Sequence, residues 1–270
     1  MTKYVIANGR IYTENETIEQ GYILIENGKI TQIAEGEYQG DLTTIDVKGQ
    51  HVLPGFIDIH MHGGYGEDAM DASFEGLKHL SESLLSEGTT SFLATTMTQS
   101  DENIIKALKN IADYQEQQDS LNAASIVGIH LEGPFISEYK VGAQNPAYVQ
   151  RPSVEKVQQF QEIANNQIKV MTFAPEVEGA DETLSTLHDQ INFSIGHTVA
   201  TFDEVNEAVA QGAKHVTHLY NAGTPFEHRN PGLSGAAWLN DELSTESIVD
   251  GIHSHPASVK IAYKQKGNKR

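Results

Sequence analysis

The sequence predicts an α/β protein built around a parallel (β/α) barrel, with a small β domain at its amino-terminal end. Two observations predict this fold. From residue 55 onward, apolar strands alternate with amphipathic helical stretches, which implies parallel βαβ units. Several of these strands also end on histidine or glutamate, and a barrel of this type gathers its site residues from the ends of its strands.

Residues 1–52 form the predicted small β domain. From Tyr4 to Val52 the sequence consists of short stretches in which apolar and polar residues alternate, as in strands with one buried face. Asn27-Gly28 between two such stretches is a strong signal for a tight hairpin. The pattern changes after Pro54-Gly55. We therefore place the boundary near residue 52, with an antiparallel β layer before it and the barrel domain over residues 53–270.

The barrel domain contains seven predicted strands separated by helical stretches. The strands lie near residues 55–62, 90–96, 124–131, 168–174, 192–197, 215–219 and 247–252. Helices fit near residues 73–87, 101–118, 153–166, 181–189, 203–211 and 256–265, and three of them begin after the capping residues Ser100, Ser153 and Thr201. A closed barrel of this type needs eight strands, so we expect the eighth strand to be missing.

The strand near residues 55–62 ends on two histidines, His60 and His62. Side chains at positions i and i+2 of a strand point to the same side of the sheet, so both imidazoles can bind one metal ion. A lone buried histidine is ordinarily a hydrogen-bonded core residue, and we interpret His79 and His188 in that way. Two imidazoles on one face have no comparable packing role, so the pair predicts a metal site.

Three further apolar stretches end on a side chain that can bind a metal ion, namely Glu132, His197 and His218. The sequence has no cysteine, so a thiolate site and a disulfide framework are both excluded. Imidazole and carboxylate ligands suit zinc, iron or manganese, and the residues alone do not select among these ions. Because neutral imidazole is the form that binds, metal affinity is expected to fall as the pH drops through roughly 6.

The charge of the chain limits its partners. Its 18 Lys and Arg residues against 37 Asp and Glu residues give a net charge of −19, which disfavours nucleic acid and anionic membrane surfaces. The first residues lack the basic and apolar segments of a signal peptide, and no apolar run approaches the ~20 residues of a membrane span. We therefore expect a cytoplasmic protein.

Five motifs together resemble those of the N-acetylglucosamine-6-phosphate deacetylases, a family of the amidohydrolase superfamily. They are Pro54-Gly-Phe-Ile-Asp-Ile-His-Met-His-Gly63, His130-Leu-Glu-Gly-Pro-Phe135, Ser194-Ile-Gly-His-Thr198, Thr217-His-Leu-Tyr-Asn-Ala222 and Asp250-Gly-Ile-His253. The first motif marks only the superfamily. The second is more specific, because related hydrolases of ureides and cyclic amides commonly have a carboxylated lysine at the position of Glu132. The resemblance extends over essentially the whole chain.

The resemblance implies a TIM-type barrel beside a small β-sandwich, to which the first domain supplies the amino-terminal half. Glu132, His197 and His218 would hold the principal metal ion. His60 and His62 would hold a second ion, so one or two ions per chain are implied, and histidine at both positions favours two. The implied reaction is hydrolysis of N-acetylglucosamine 6-phosphate to glucosamine 6-phosphate and acetate in amino-sugar catabolism. In this reaction the ion polarises the acetyl carbonyl and lowers the pKa of a water molecule.

The resemblance also implies which groups bind the sugar phosphate. Asn221 and Ala222 would contact the phosphate through the main chain, helped by Arg229 and His253, and Gln144 would contact the sugar. The planar guanidinium of Arg229 suits phosphate because it donates parallel hydrogen bonds. Alternatively, Arg229 is an ordinary exposed residue and Gln144 caps the loop backbone. In the family such contacts can be completed across a dimer interface, so a homodimer is implied.

The family's general acid/base is an aspartate at the end of the eighth barrel strand, and we expect no such catalytic residue within this chain. Asp241, Glu242, Glu246 and Asp250 are not expected to replace it, and Asp250 is expected to support His253. We therefore predict a truncated chain that keeps much of the metal site but has little or no turnover, since general acid/base catalysis contributes ~10²–10⁴-fold. The open edges of an incomplete barrel predict low stability.

Two alternative functions stay open from the residues. One is an amidohydrolase that acts on a cyclic amide or ureide, against which Glu132 argues. The other is a non-catalytic protein that binds a metal ion or a sugar phosphate. The residues do not separate N-acetylglucosamine from N-acetylgalactosamine, because both sugars carry the same acetamide and phosphate groups.

Overall fold

The computed structural model describes residues 2–267 and divides the chain into two compact units, the first ending at Phe56 and the second beginning at Ile57. The division lies close to the domain boundary predicted near residue 52. Within the described residues no helix is both long and apolar enough to span a membrane.

The first unit is a five-stranded sheet in which β3-β2-β1-β4 are neighbours and β5 also pairs with β1. The strands are β1 (Lys3–Tyr12), β2 (Thr17–Glu26), β3 (Lys29–Glu35), β4 (Thr43–Asp46) and β5 (His51–Val52). The predicted hairpin at Asn27-Gly28 joins β2 and β3, and both turn residues have the positive φ, 51° and 76°, that this kind of turn requires. The layer differs from the prediction in one respect, because β4 and β5 run parallel to β1.

The second unit confirms the predicted α/β fold, with a seven-stranded sheet in the order β14-β13-β12-β11-β10-β9-β6. The strands from β9 to β14 pair in parallel, and no eighth strand joins this sheet within residues 2–267. Its strands are β6 (Phe56–Met61), β9 (Thr89–Thr95), β10 (Ser125–Glu132), β11 (Ile168–Phe173), β12 (Asn192–Ile195), β13 (His215–Val216) and β14 (Ser244–Thr245). Two short strands, β7 (Gly63–Gly64) and β8 (Glu67–Asp68), form a separate hairpin.

Two of the predicted strands differ from the observed ones. The strand predicted over residues 215–219 is shorter in the structure and consists of β13 alone. It ends early because His218 and Tyr220 have positive φ values, 30° and 82°, which a regular strand does not contain. The strand predicted over residues 247–252 does not form, and β14 lies just before it. The Asp250 carboxylate accepts the backbone N–H groups of Ile252 and His253, each at 2.8 Å, and so folds this segment into a turn.

In the part of the chain that the structure describes, seven α-helices follow or connect the strands: α1 (Phe74–Leu84), α2 (Asp101–Gln117), α3 (Val154–Ile163), α4 (Ala180–Leu187), α5 (Phe202–Ala210), α6 (Gly232–Leu239) and α7 (Pro256–Lys266). The predicted caps Ser100, Ser153 and Thr201 are confirmed, since each side-chain oxygen accepts a backbone N–H of the first turn. The sequence pattern missed α6, whose residues are apolar on almost every side and therefore lack the periodicity of an amphipathic helix.

The core of the second unit lies where the helices cover the sheet. Ile104, Leu108 and Ile111 lie on one face of α2 and are fully buried together with strand residues such as Ile126. The rings of Phe173 and Phe193, on adjacent strands, meet edge to face with their centres 5.3 Å apart. Each such side chain contributes ~1.5–3 kcal/mol when buried, and together they hold the strand ends that carry the site in place.

Candidate metal centre

Five side chains predicted to bind metal come together at the carboxyl-terminal ends of four strands. His60 lies in β6 and His62 just beyond it, while Glu132 is the last residue of β10. His197 and His218 each lie two residues beyond the last residue of their strands, β12 and β13. Their ligand atoms form two overlapping groups, one of His60, His62 and Glu132 and the other of Glu132, His197 and His218.

The Glu132 carboxylate stands at the centre of these two groups. Its Oε1 lies 3.3 Å from His60 Nε2 and 3.2 Å from the Nε2 atoms of both His197 and His218. Its Oε2 lies 3.1 Å from His62 Nε2. Glu132 is only 2% exposed, so its charge is removed from water and depends on these neighbours. One carboxylate is thus shared by two sets of imidazoles.

Hydrogen bonds on the far side of two rings fix which nitrogen faces Glu132. His197 Nδ1 lies 2.8 Å from the carbonyl oxygen of Lys140, and His60 Nδ1 lies 2.7 Å from a carboxylate oxygen of Glu246. Both partners are acceptors only, so each Nδ1 carries a proton. In the neutral ring Nε2 is then an acceptor, and it faces another acceptor, the Glu132 carboxylate. Such an arrangement is stable only when a positive charge lies between the two acceptors, either a proton on Nε2 or a bound metal ion.

The spacing of these atoms fits a divalent ion. Ligands that lie ~2.1 Å from a tetrahedral ion are about 3.4 Å from one another. The distance between His60 Nε2 and His62 Nε2 is 3.2 Å, and that between His197 Nε2 and His218 Nε2 is 3.1 Å. Two nitrogens and a shared carboxylate in each group are the donors that zinc, iron or manganese accept. Donor chemistry and spacing therefore agree with a two-ion centre.

The same contacts determine how the ion-free site titrates. Burial disfavours a charge on His60, but hydrogen bonds to Glu132 and Glu246 outweigh it and raise the pKa of His60 to about 10. Burial also opposes ionisation of Glu132, yet the surrounding histidines hold its pKa well below the ordinary value. An ion that binds here must therefore displace a proton from His60.

The backbone at two ligand positions is in an unfavourable region. His197 has φ 49° and His218 has φ 30°, both in the left-handed range. For a residue other than glycine such a conformation costs ~1–3 kcal/mol and persists only where the surroundings impose it. The strand therefore ends abruptly before each ligand, and the turn aims both imidazoles at Glu132.

A buried polar layer lies beneath the centre. His130 is fully buried on β10, where its Nδ1 donates to the Ile59 carbonyl at 3.0 Å and its Nε2 lies 2.7 Å from Thr172 Oγ1. The hydroxyl of Thr172 is hydrogen-bonded to that of Thr217 at 2.7 Å, and the hydroxyl of Thr217 is hydrogen-bonded to that of Ser194 at 2.6 Å. Burial and the neighbouring His60 lower the pKa of His130 to about 3, so the ring is neutral. The layer connects β6 to the strands that carry the other ligands.

The structure places Gln144 beside Glu132 rather than in an open loop. Its Nε2 donates to Glu132 Oε2 at 2.5 Å, and its Oε1 accepts the backbone N–H of Thr98 at 2.6 Å. The side chain is 4% exposed. Gln144 therefore holds the shared carboxylate in position, a role that sequence reasoning did not assign.

The predicted phosphate-binding residues lie in two segments beyond the strand ends. Arg229 and His253 are exposed, and His253 Nδ1 lies 2.6 Å from the Asp250 carboxylate, as expected from the sequence. Hydrogen bonds from the backbone and side chain of His253 lower the pKa of Asp250 to about 2. The Asn221 N–H donates to the His218 carbonyl at 2.9 Å, whereas buried Asn221 Nδ2 has no partner among residues 2–267. The free donor of Asn221 is therefore its side chain rather than its main chain.

Sequence reasoning assigned no role at the centre to two carboxylates, one that contacts a ligand and one that contacts the segment after a ligand. Glu246 contacts His60 from a position 186 residues further along the chain. Glu176 accepts the backbone N–H of Val199 at 2.7 Å and the hydroxyl of Thr198 at 2.5 Å, so it holds the segment that follows His197. Both residues follow strand ends, Glu176 after β11 and Glu246 directly after β14, and this position is the one signal that could have indicated them.

Comparison with known proteins shows the family of the chain. The amidohydrolase family model matches residues 51–270. An N-acetylglucosamine-6-phosphate deacetylase of Bacillus subtilis (strain 168) is 46% identical over 264 residues, which are 96% of this chain and 67% of that protein. An N-acetylgalactosamine-6-phosphate deacetylase of Escherichia coli O157:H7 is 31% identical over 259 residues, again 96% of this chain and 67% of that protein.

A solved structure is also similar. The crystal structure of N-acetylglucosamine-6-phosphate deacetylase from Pasteurella multocida superposes with a TM-score of 0.91 at 30% identity, covering 99% of this chain and 70% of that one. The chain thus spans about two thirds of the length of the relatives it matches.

Proposed function

Since the chain belongs to the amidohydrolase family and, within it, to the N-acetylglucosamine-6-phosphate deacetylases, we propose that the reaction of its site is hydrolysis of the acetamide of N-acetylglucosamine 6-phosphate to glucosamine 6-phosphate and acetate, with low activity in residues 1–270 by themselves. The observation that carries the proposal is the convergence of four imidazoles on the Glu132 carboxylate. Family membership supports a metal-dependent hydrolase, and the donor set supports one or two zinc, iron or manganese ions.

The residues of the chain hold and orient the reacting groups. A bound divalent ion would polarise the acetyl carbonyl and lower the pKa of a water molecule. His197 and His218 present their Nε2 atoms from strained turns, and Gln144 fixes the carboxylate that both face. Preorganised ligands of this kind need no rearrangement when the substrate binds.

Phosphate recognition on a chain of net charge −19 needs cations that are local. We assign this role to Arg229 and His253, with Ala222 beside the site, as the motifs imply. The buried Nδ2 atom of Asn221, which has no hydrogen-bond partner among residues 2–267, supports the assignment, because a phosphate or sugar oxygen would satisfy that donor. Homodimerisation and a cytoplasmic location stay predictions, as does the absence of the family's general acid/base aspartate from residues 1–270.

Acetate release tests the proposal. The purified protein is supplied with zinc, iron or manganese and with N-acetylglucosamine 6-phosphate, N-acetylgalactosamine 6-phosphate or a cyclic amide. The same assay is run on the chain extended through an eighth strand. We expect release from N-acetylglucosamine 6-phosphate by the extended protein, and H218N is expected to abolish it. Turnover by residues 1–270 alone would contradict the predicted low activity, and failure of both proteins on both sugars would contradict the proposed substrate.

A further inference from the structure

Glu246 lies on the far side of the His60 ring from Glu132. Its backbone N–H donates to the Val216 carbonyl at 3.1 Å, and its own carbonyl accepts the N–H of Leu219 at 2.8 Å. These bonds bind Glu246 to both ends of the segment that carries His218. Only 16% of its side chain is exposed, so the carboxylate points into the protein at a defined place.

The Glu246 carboxylate contacts both ligand groups. Oε1 accepts the Nδ1–H of His60 at 2.7 Å and the backbone N–H of His218 at 3.0 Å. Oε2 is buried without a hydrogen-bond partner among residues 2–267, and His215 Nε2, also unpaired, lies 3.7 Å away. One carboxylate oxygen thus accepts two hydrogen bonds, one from a ligand ring and one from the backbone of another ligand.

We propose that Glu246 is the positioning residue of His60. Its carboxylate keeps the proton of that ring on Nδ1 and turns the Nε2 lone pair toward His62 and Glu132. A carboxylate behind a metal-binding imidazole fixes the tautomer and makes the ring a better ligand, and loss of such a partner typically weakens metal binding ~10–100-fold. The inference rests on the proposed function, because it requires an ion at this group.

The two ligand groups allow positioning to be separated from general support of the fold. The ring of His197 is oriented by the main-chain carbonyl of Lys140, which lies 2.8 Å from its Nδ1, rather than by Glu246. A positioning role therefore weakens metal binding by the group of His60 and His62 far more than binding by the group of His197 and His218. A merely structural role would loosen His218 as well, through its backbone N–H, and would weaken both groups together.

Zinc titration followed by calorimetry tests the proposal on the full protein and on the variants E246A and E246Q. We expect two binding events in the unsubstituted protein. In E246A one of them weakens ~10–100-fold while the other changes less than about threefold. E246Q keeps an oxygen that accepts from His60 but loses the charge, so its loss is expected to be smaller. This near-isosteric variant also covers the case in which E246A does not fold.

The control is E242A, because Glu242 is an exposed glutamate in the same connecting segment, and its affinities should match those of the unsubstituted protein. Unchanged zinc affinity in both Glu246 variants would overturn the proposal, as would an equal weakening of both binding events. If the unsubstituted protein binds no zinc, iron or manganese, the proposed function fails and this inference fails with it. If the inference alone fails, the unsubstituted protein still shows its two binding events.

Discussion

The two halves of the metal centre are built in different ways. The group of Glu132, His197 and His218 is buried, and its two histidines lie on strained turns, whereas His60 and His62 are partly exposed at the end of a regular strand. The main chain fixes the ring of His197, but a side chain fixes that of His60. A ring oriented by a main-chain carbonyl keeps its partner when neighbouring side chains are substituted. A ring oriented by a side chain loses its partner with one substitution.

The largest effect is expected from the residue that both halves share. E132Q replaces one carboxylate oxygen by an amide nitrogen that cannot ligate, and it removes the charge that four imidazoles face. Metal content measured after dialysis is expected to fall from about two ions to near zero per chain. E242Q is the matched control, and retention of one tightly bound ion by E132Q would show that the halves are independent.

The turn behind the shared carboxylate is the next most sensitive point. Gly133 has φ +74°, and a Cβ there would lie 2.0 Å from Thr98 Oγ1. G133A is therefore expected to lower the free energy of unfolding by more than the ~1–3 kcal/mol of backbone strain alone. Gly66 has φ +89° but open space around it, so G66A measures that strain without the overlap. Equal melting temperatures for the two variants would contradict the expected contact with Thr98.

The pH dependence of binding should differ between the halves. The pKa of His60 is raised to about 10, so in the ion-free protein its charge stabilises the fold below the ordinary value of 6.5, and this contribution is lost as the pH rises through 10. An ion displaces that proton, so zinc affinity of the His60 group should rise about tenfold per pH unit from 7 to 9. Calorimetry in buffers of different ionisation enthalpy counts the protons released. Release of none at pH 8 would contradict the assignment.

This range lies above the one expected from the sequence, near pH 6. The difference arises because the sequence gives the ordinary behaviour of histidine, whereas two carboxylates contact His60 in the folded protein.

The smallest effect is expected at Gln144, which supports the shared carboxylate without ligating. Q144A removes the bond to Glu132 and leaves the Thr98 N–H unpaired, at a cost of ~1–3 kcal/mol in unfolding free energy. Denaturant unfolding measures the loss, and Q115A, at a part-buried glutamine of α2 away from the centre, serves as the comparison. If Q144A instead abolishes zinc binding, Gln144 contributes more to the site than positioning.

The sequence predicted most of the site because its ligands follow strand ends. His60, His62, Glu132, His197 and His218 stand next to apolar stretches, and parallel strands bring such positions to one edge of the sheet. The partners that orient them could not be predicted in this way. Glu246 meets His60 across 186 residues, and the Lys140 contact is made by a carbonyl, which every residue possesses.

The fold also contains elements that the sequence predicted and elements that it could not predict. Strands and helices with a clear period were located to within a few residues, including the capped starts of α2, α3 and α5. The apolar helix α6 was missed because a helix buried on most sides has no polar face to set its period. The strand expected over residues 247–252 gave way to a turn, because the Asp250 side chain competes for backbone N–H groups.

The loop between Ser137 and Gln144 has a consequence for how this protein can evolve. Its first residue donates its N–H to the His197 carbonyl at 2.9 Å, and the Lys140 carbonyl accepts from the ring of the same histidine. Gln144 then reaches Glu132 from the far end. Contacts with two ligands at fixed places thus set the length of the loop. Insertions and deletions between these residues, which a surface loop would ordinarily tolerate, should disrupt the site and be selected against.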